Sequence, residues 1–536
     1  MIHSLFSELV AAMRLHWRVH KTLGNFLRHY GTAQIRPGLV RDIWQPVIGL
    51  EIHAQILSTS KLFSRVGTRF GAPPNSQVGV FESAHPGTLP VLNKRCVEAA
   101  IKTALALQAT VNKTSWFVRK HYFYPDLPAG YQITQLDHPI ASDGHLDFIV
   151  YNAAVHRKPY RHSVKLIQIQ LEEDSGKSIH DVENHRVLVD LNRAGQPLME
   201  LVFAPDLHDG EEAAALVKEL SLILLQLGTC NCRMEEGSLR VDANISVHRP
   251  GEPLGTRTEV KNLNSIRSLV KAIDFEIERQ IGILESGGVI TNETRSFDAD
   301  RKETITMRDK EVVQDYRFMH EPNLPPLRLF DSSEGSGSQN GSLDINAVRQ
   351  ELPELPEEKR QQLLKNYGVR LENAIILVSN SIILDFFMAV MADKKRDARL
   401  VCNLLLTNLL GTLNSANIDF QKSPLSADAF GEIVDLQQSG QILNDTSLRL
   451  IDLICNDGDL RSPTQIVNAN NWLKFSDDLL ESLVAKVLND NQNLVKKYKA
   501  GKKKMFNALM GKVRAATDSR ADMKKVKDIL TKKLTE

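Results

Sequence analysis

The chain has 536 residues, and its 66 Lys and Arg residues nearly balance 65 Asp and Glu residues, giving a formal net charge of +1. The length predicts two to four domains, and the balanced charge points to no class of partner for the chain as a whole. Five scattered cysteines exclude a disulfide framework. No apolar run reaches the roughly 18 residues of a membrane-spanning helix, so no membrane span is expected.

The first 40 residues differ in composition from the rest. Up to Gln34 they contain a single acidic residue, Glu8, among several Arg, Lys and His residues. Apolar residues recur at helical spacing at Leu5, Leu9, Met13 and Trp17. A basic, amphipathic, acid-poor leader is typical of a mitochondrial transit peptide, and the alternative is a basic helical extension. We expect residues 1–40 to be a transit peptide and the protein to act in the mitochondrial matrix.

Two short segments alternate strictly between apolar and polar residues and predict strands with one polar face. In Val47–His53 the polar positions include Glu51 and His53, and in Leu239–Ser246 they include Asp242. Side chains two residues apart on one strand face lie roughly 6–7 Å apart, so Glu51 and His53 could flank a cation or a phosphate. The alternative for either strand is an antiparallel sheet with one wet face.

More acidic residues follow these strands in the sequence, at Glu172, Glu173, Glu200 and Glu259. Glu200 lies in an apolar run, where an unpaired buried charge is costly. Carboxylates that converge on one sheet repel each other unless cations neutralise them, and oxygen ligands with one imidazole suit Mg²⁺ better than zinc. The alternative is a set of unrelated surface acids.

The segment Gly176-Lys177-Ser178 has the ending of a phosphate-binding loop. The full motif requires a glycine five residues before Gly176, and that position is Leu171. We therefore reject a P-loop. Lys177 can still contact a phosphate as a point charge, or it can be a solvated turn lysine.

The pattern along the chain predicts an α+β fold, in which a domain with a mixed or antiparallel sheet precedes an all-helical C-terminal region. Helices are predicted over Cys96–Val111, Gly210–Leu227 and Ser265–Glu285. The Ser- and Gly-rich residues 331–343 predict a flexible linker between a first domain at 43–330 and a helical domain at 344–465.

The last segment, residues 466–536, is predicted to be a basic helical tail. From Lys486 to Glu536 there are 15 Lys and Arg residues against 5 Asp and Glu residues. A basic helical surface suits a phosphate backbone, and the alternative is a solvated lysine face. We expect a nucleic-acid phosphate backbone to contact the tail through Lys502, Lys503, Lys504, Lys512 and Arg514.

Nine ordered motifs between Val47 and Leu327 carry a family resemblance. They are Val47–His53, Pro86–Asn93, Tyr122–Asp126, Tyr131–Ile133, Glu172–Ser178, Val189–Gly195, Met234–Ser246, Val260–Ser265 and Asp315–Arg317. With these motifs the sequence resembles the B subunit of the aspartyl/glutamyl-tRNA amidotransferases, the GatB family. So many ordered matches are far more specific than any single motif.

The resemblance implies a catalytic kinase and transamidase domain at 43–330 that uses ATP and Mg²⁺. Its implied reaction is γ-phosphorylation of the glutamate on misacylated Glu-tRNA(Gln), followed by amidation with ammonia. By similarity, one metal site consists of His53, Glu173 and Glu200. A second, more transient cation site consists of Glu51, Asp242 and Glu259. Catalytic roles fall to Glu51, His53, Glu173 and Asp242. The predicted phosphate contact of Lys177 would then be with ATP, and the phosphate backbone at the basic tail would be that of the tRNA.

The source of ammonia is expected to be another subunit. The sequence has no Ser-Ser-Gly-rich amidase signature, and no cysteine stands in a nucleophile-like setting. The resemblance implies a heterotrimer with an amidase A subunit and a small C subunit. Two other classes stay open: a non-catalytic tRNA-binding or assembly factor, and an ATP-dependent ligase that acts on a small molecule.

Overall fold

The structure is a computed structural model that describes residues 43–307, 316–334, 342–392 and 395–535. The predicted transit peptide at 1–40 and most of the predicted linker at 331–343 lie outside the described residues. The chain divides into two compact units, one up to Pro353 and one from Glu354 onward. Strands dominate the first unit and helices form the second, which confirms the predicted α+β class.

The first unit mixes strands, four α-helices among its described residues and short 3₁₀ turns. Its longer strands are β1 (Gln45–Gln55), β6 (Ala141–Val150), β7 (Tyr160–Glu173), β10 (Pro197–Phe203), β11 (Leu239–His248) and β12 (Thr258–Leu263). Its shorter strands are β2 (Thr110–Val111), β3 (Thr114–Ser115), β4 (Val118–His121), β5 (Tyr131–Thr134), β8 (Lys177–Asp181), β9 (Arg186–Asp190), β13 (Thr294–Asp298), β14 (Glu303–Thr306), β15 (Arg317–His320), β16 (Leu327–Phe330) and β17 (Leu343–Asp344). Its helices are α1 (Lys94–Ala106), α2 (Gly210–Leu227), α3 (Ile266–Glu285) and α4 (Ile345–Gln350).

Within the described ranges, nine strands form a central sheet in the order β14-β13-β12-β11-β1-β10-β7-β6-β2. Neighbouring strands are antiparallel, except that β12 and β13 are parallel. Strand β1 lies between β10 and β11, so Glu51 faces Asp242 across one strand pair and His53 faces Glu200 across the other. The two strands predicted from alternation are therefore direct neighbours at the centre of the sheet.

One face of this sheet is apolar and packs against helices. Leu50, Ile52 and Ala54 of β1 and Val241 and Ala243 of β11 have no exposed surface. Helix α1 contacts β7, α2 contacts β6, and α3 contacts β11. Burial of apolar area contributes roughly 25 cal/mol per Å² to folding. A shift of one residue in the pairing would turn the apolar side chains to the other face and lose this contribution, so burial of this face fixes the register of the strands. The alternating polar residues are consequently left on the opposite face.

Helices α2 and α3 begin and end where the sequence signals place them. The Asp209 side chain accepts a hydrogen bond from a backbone N–H in the first turn of α2, and Gly228 ends the helix with a left-handed φ of 63°. Ser265 caps α3 in the same way. Both helices match their predicted bounds, because these end signals agree with the apolar stripe.

Helix α1 is shorter than predicted. It ends at Ala106, whereas the expected range ran to Val111. Gln108 takes a left-handed φ of 54°, and the following Thr110–Val111 pair with β6 as strand β2. Periodicity alone missed this break because the apolar residues continue through it.

The second unit contains α5 (Pro356–Tyr367), α6 (Leu371–Val378), α7 (Ser381–Val390), α8 (Ala398–Cys402), α9 (Leu410–Ser415), α10 (Ala427–Gln438), α11 (Asn444–Asn456), α12 (Pro463–Ala469), α13 (Asp477–Asp490), α14 (Gln492–Lys499), α15 (Lys504–Ala516) and α16 (Met523–Thr535). A seven-residue π-helical segment joins α8 to α9. One apolar core runs from Leu363 to Val467. A second runs from Leu480 to Leu534 and holds the basic tail together.

In the part of the chain that the structure describes, no single helix has the length and apolar composition to cross a membrane. The pair α6 and α7, bent by 118° at their junction, meets the criterion by length and composition alone.

Candidate active site

The polar face of the central sheet brings an imidazole and two carboxylates together. His53 Nε2 lies 3.4 Å from Glu172 Oε1, and Glu200 lies opposite His53 on the neighbouring strand. One ligand atom from each of the three residues falls within 4.8 Å of the others. The Gln170 amide donates to the Glu200 carboxylate and so orients it. The three side chains form a compact set of possible cation ligands.

The electrostatics of this cluster also fit a cation. Burial, together with the Glu200 charge, raises the pKa of Glu172 well above its ordinary value. Burial also raises the pKa of Glu200, against the hydrogen bond from Gln170. Burial and the positive charges of Arg240 and Lys261 lower the pKa of His53 to about 3, so its imidazole is neutral and able to bind a metal. Two oxygen ligands and one neutral nitrogen in a desolvated site suit a divalent cation such as Mg²⁺.

The structure places one member of the predicted ligand set apart from the other two. Successive residues on a strand point to opposite faces, so Glu173 is turned away from His53 while Glu172 faces it. The Glu173 carboxylate accepts a hydrogen bond from the backbone N–H of Ile133 at 2.9 Å. It lines a separate cavity of about 310 Å³ with Glu82 and Tyr131, where burial raises its pKa to about 8. Among the described residues, Glu172 and not Glu173 therefore lies within ligand distance of His53 and Glu200.

The second predicted group lies on the same polar face of the sheet. It consists of Glu51 on β1, Asp242 on β11 and Glu259 on β12. Glu51 and Asp242 are directly opposed, and Glu259 is opposite Asn244. The Asn244 amide lies between Glu51 and Glu259 and donates to Glu51 Oε1 at 2.9 Å. Its own Oδ1 is buried and has no hydrogen-bond partner among the described residues. An orphaned buried oxygen beside two carboxylates fits a missing cation or a ligand donor.

A local irregularity presents Asp242 to this group. The pairing of β11 with β12 shifts between Val241 and Ala243, so Asp242 lies at a bulge. Asn262, with a left-handed φ of 59°, donates its backbone N–H to Asp242 Oδ1 at 2.9 Å. Burial raises the pKa of Asp242, and this hydrogen bond and the Lys261 charge oppose the rise. The bulge therefore fixes one carboxylate without neutralising it.

A positively charged cavity adjoins the carboxylates. It has a volume of about 370 Å³, and Lys177, Arg193 and Arg240 line it together with Gln55 from the polar face of β1. The two acids in its lining are engaged, since Asp190 accepts from the Asn75 backbone N–H and Glu236 pairs with Arg233. Two of the cations are engaged as well, because Arg193 and Arg240 both pair with Asp174. Lys177 thus lies in a cleft that suits an anion. The prediction that it contacts ATP stays a prediction with this geometry in its favour.

The predicted tRNA contacts lie at the start and along one side of helix α15. Lys502, Lys503, Lys504 and Lys512 are exposed, while the helix buries Leu509 and Val513. Arg514 is also exposed, but its guanidinium pairs with Asp445 at 2.8 Å. Among the described residues, the four lysines are therefore the free cations of the predicted set, and Arg514 is partly neutralised.

Sequence reasoning passed over three side chains at the site besides Glu172. They are Asn244, Arg240 and Lys120. Arg240 bonds to Asp174 at 3.0 Å, and the charge of Lys120 on β4 opposes the rise in the pKa values of Glu172 and Glu200. The polar face of the second predicted strand already contained Arg240 and Asn244. The approach of β4 had no sequence signal, because it depends on the tertiary fold.

Comparison with known proteins identifies the family. The model described as the GatB/GatE catalytic domain matches residues 46–333, and one described as the GatB domain matches residues 385–534. The chain belongs to the GatB/GatE family.

Individual relatives agree along the whole chain. It is 50% identical over 523 residues to the B subunit of the mitochondrial glutamyl-tRNA(Gln) amidotransferase of Aedes aegypti, covering 96% of this chain and 98% of that protein. The Homo sapiens protein of the same name is 49% identical over 92% of this chain and 89% of its own length. The B subunit of the aspartyl/glutamyl-tRNA(Asn/Gln) amidotransferase of Rickettsia canadensis is 41% identical over 92% of this chain and 98% of its own length.

Proposed function

We propose that this chain is the mitochondrial B subunit of a tRNA-dependent amidotransferase and that it converts Glu-tRNA(Gln) to Gln-tRNA(Gln). The observation that carries the proposal is the partly buried His53–Glu172–Glu200 cluster beside the cavity lined by Lys177 and Arg240. A cation-binding face next to an anion-binding cleft is what phosphoryl transfer from ATP requires. Family membership and the names of the relatives support the same reaction.

The reaction needs activation because ammonia does not displace oxygen from a free carboxylate at a useful rate. A glutamate oxygen on the tRNA attacks the γ-phosphorus of ATP, and ADP leaves. Ammonia then attacks the activated carbonyl carbon, and phosphate leaves as the amide forms. Most of the catalysis in such a transfer is positioning and charge neutralisation. Lys177 contacts the phosphates in the cleft, where Arg193 is already held by Asp174 and by the Ser175 carbonyl. The charges of Lys120 and Lys261 act on the carboxylate face.

Two groups of ligands would hold Mg²⁺ on the sheet face. His53, Glu172 and Glu200 form the first, and Glu51, Asp242 and Glu259 form the second, where Asn244 Oδ1 adds an unpaired oxygen. When bound, Mg²⁺ neutralises phosphate charge during the transfer. The protein fixes these ligands on adjacent strands of one rigid sheet, so the geometry is set before substrate arrives.

The test of the function is reconstitution. The chain is co-expressed with an amidase A subunit and a small C subunit, and amidation of Glu-tRNA(Gln) is measured with ATP and glutamine. We expect Gln-tRNA(Gln) to form only when ATP and this chain are both present. Normal assembly and tRNA binding without amidation would favour the assembly-factor alternative, and amidation of a free amino acid would favour the small-molecule ligase.

Ammonia is expected to replace glutamine in this reaction, and the isolated chain is expected to hydrolyse no glutamine. Burial raises the pKa of the Cys96 and Cys402 thiols to about 12, so these thiols are poor nucleophiles. A hydrogen bond with Cys232 lowers the pKa of Cys230, but this thiol has no exposed surface and cannot reach a substrate. The measurement is glutaminase activity of the purified chain, alongside amidation driven by ammonium salt in the complex. Glutamine hydrolysis by the pure chain that persists after every cysteine is replaced would contradict the assignment of this step to a partner.

The mature protein is expected to begin near residues 30–42, in the mitochondrial matrix. The acid-poor basic leader and the mitochondrial relatives both support import. N-terminal sequencing of the endogenous protein measures the start directly, and recombinant protein that begins at Met1 is the control. An intact Met1 in the protein isolated from mitochondria would count against a cleaved leader.

A further inference from the structure

A second group of metal-type ligands lies away from the proposed active site. It consists of His162 on β7, His208 in the loop before α2 and Glu212 in the first turn of α2. His162 is near the other end of β7, roughly 30 Å along the strand from Glu172. The amidotransferase reaction proposed above makes no use of these side chains.

The spacing of the ligand atoms is that of a metal site. Glu212 Oε2 lies 3.3 Å from His208 Nδ1 and 3.9 Å from His162 Nε2, and all three ligand atoms fall within 4.8 Å of one another. A tetrahedral ion with metal–ligand bonds of about 2.0–2.1 Å separates its ligand atoms by roughly 3.3–3.4 Å. Small side-chain movements therefore suffice to close the group around one ion.

Neighbouring side chains hold these ligands in place. The Tyr160 hydroxyl lies 3.1 Å from Glu212 Oε1 and donates to it, which leaves Oε2 facing the two imidazoles. The Phe148 ring packs edge-on against His162 at 5.5 Å. Outer partners of this kind orient ligands in known metal sites.

Hydrogen bonding within the cluster explains only part of the arrangement. Glu212 Oε2 accepts from the His208 backbone N–H at 2.8 Å, and His162 Nε2 donates to the Asp206 carbonyl oxygen at 3.0 Å. The His208 ring is also within hydrogen-bonding distance, with Nδ1 3.3 Å from Glu212 Oε2. Hydrogen bonding does not account for the approach of His162 Nε2 to the same oxygen at 3.9 Å. If an ion replaced the proton on His162 Nε2, the Asp206 carbonyl oxygen would be near enough to serve as its fourth ligand.

We propose that His162, His208 and Glu212 bind a zinc-class transition-metal ion that ties the start of α2 to strand β7. Two imidazoles and one carboxylate are typical zinc ligands and poor ones for Mg²⁺, which prefers oxygen. The site is distinct in chemistry from the carboxylate-rich face around His53. Its role is structural, because the bound ion links strand β7 of the sheet to the N-terminal end of helix α2, which packs on the sheet.

The test is zinc binding to the untagged full chain, measured by calorimetry with Mg²⁺ present throughout. The titration is carried out on the His53→Ala variant, so that zinc binding to the His53 cluster does not contribute to the measured stoichiometry. We expect one zinc equivalent to remain in this background and to disappear with His208→Ala or Glu212→Gln. The matched control is His145→Ala, which removes a half-exposed histidine of β6 that has a carboxylate neighbour at 3.9 Å but belongs to no ligand group among the described residues.

Zinc affinities and melting temperatures of the variants distinguish a metal site with oriented ligands from a fortuitous contact between side chains. Tyr160→Phe is expected to weaken zinc binding by roughly 10-fold, because the hydroxyl that orients Glu212 is lost. Zinc should raise the melting temperature of the His53→Ala protein, and it should not raise that of the His53→Ala/His208→Ala double variant. If Glu212→Gln fails to fold, His208→Ala decides the question, because His208 is 47% exposed and its removal leaves the core intact. Equal zinc binding with and without His208, or none in the folded protein, would overturn the proposal.

Discussion

Replacing Glu172 with Gln, or Asp242 with Asn, is expected to lower the rate of amidation by roughly 10²-fold or more. Each change keeps the size of the side chain and removes one negative charge from the cation-binding face. Glu172 approaches the His53 imidazole directly, and Asp242 is held opposite Glu51 by the bulge in β11. The measurement is the rate of Glu-tRNA(Gln) amidation in the assembled complex.

Thermal melting of the same variants separates catalysis from folding. Both variants should melt near the wild-type temperature, because removing a charge from clustered, buried acids relieves repulsion. Glu173→Gln is the matched control, since it makes the same chemical change one residue away on the other face of β7. Phosphoryl transfer at near wild-type rates in Glu172→Gln, with a large loss in Glu173→Gln, would show that the assignment of the two carboxylates is reversed. Raised Mg²⁺ should partly restore Asp242→Asn if the second site is the transient one.

Replacing Lys502, Lys503, Lys504 and Lys512 together with Gln is expected to weaken tRNA binding by roughly tenfold or more at physiological salt. The log–log salt slope of binding should fall by about one unit for each phosphate that the variant no longer neutralises. These lysines are exposed, while the core beneath them is built from Leu509 and Val513, so the fold should be retained. ATP binding should not change. The measurement is tRNA affinity across a salt series.

A control from the same helical core distinguishes phosphate contacts from general basicity. Lys525 is already paired with Asp477 at 2.6 Å, so Lys525→Gln should leave the salt slope nearly unchanged. Substitution is preferable to deletion, because truncation at residue 486 would cut helix α13 and expose Leu480 and Val484. Unchanged affinity and slope in the four-lysine variant would mean that these lysines form only a solvated face.

Much of the fold was predictable because local and tertiary signals agreed. Strict alternation identified β1 and β11, and the fully buried Ile52 and Val241 show that the apolar positions face the core as expected. The caps at Ser265 and Gly228 placed the ends of two helices. The pairing order of the nine strands could not be predicted, because it depends on contacts between residues far apart in sequence.

The candidate site was predictable in composition but not in every position. The choice of Glu173 over Glu172 ignored the alternation of β7 itself, where the buried Ile169 and Leu171 occupy the same face as Glu173. Applying the period-two rule there would have selected Glu172 from the sequence alone. The orphaned Asn244 Oδ1 and the approach of Lys120 were beyond such rules, because both result from how separate strands come together.

Single-turnover transfer of labelled phosphate from ATP to Glu-tRNA(Gln), with glutamine and ammonia withheld, tests the central claim most directly. The assembled complex should transfer the label to the tRNA-bound glutamate in a reaction that requires Mg²⁺. Hydroxylamine should then trap the activated carboxylate as its hydroxamate. Glu172→Gln and Asp242→Asn should lose this transfer, while Glu173→Gln should retain it. Absence of labelled phosphate on the tRNA in a complex that forms the amide once ammonia is added, or equal transfer by all three variants, would contradict a phosphoryl-transfer centre on the polar face of this sheet.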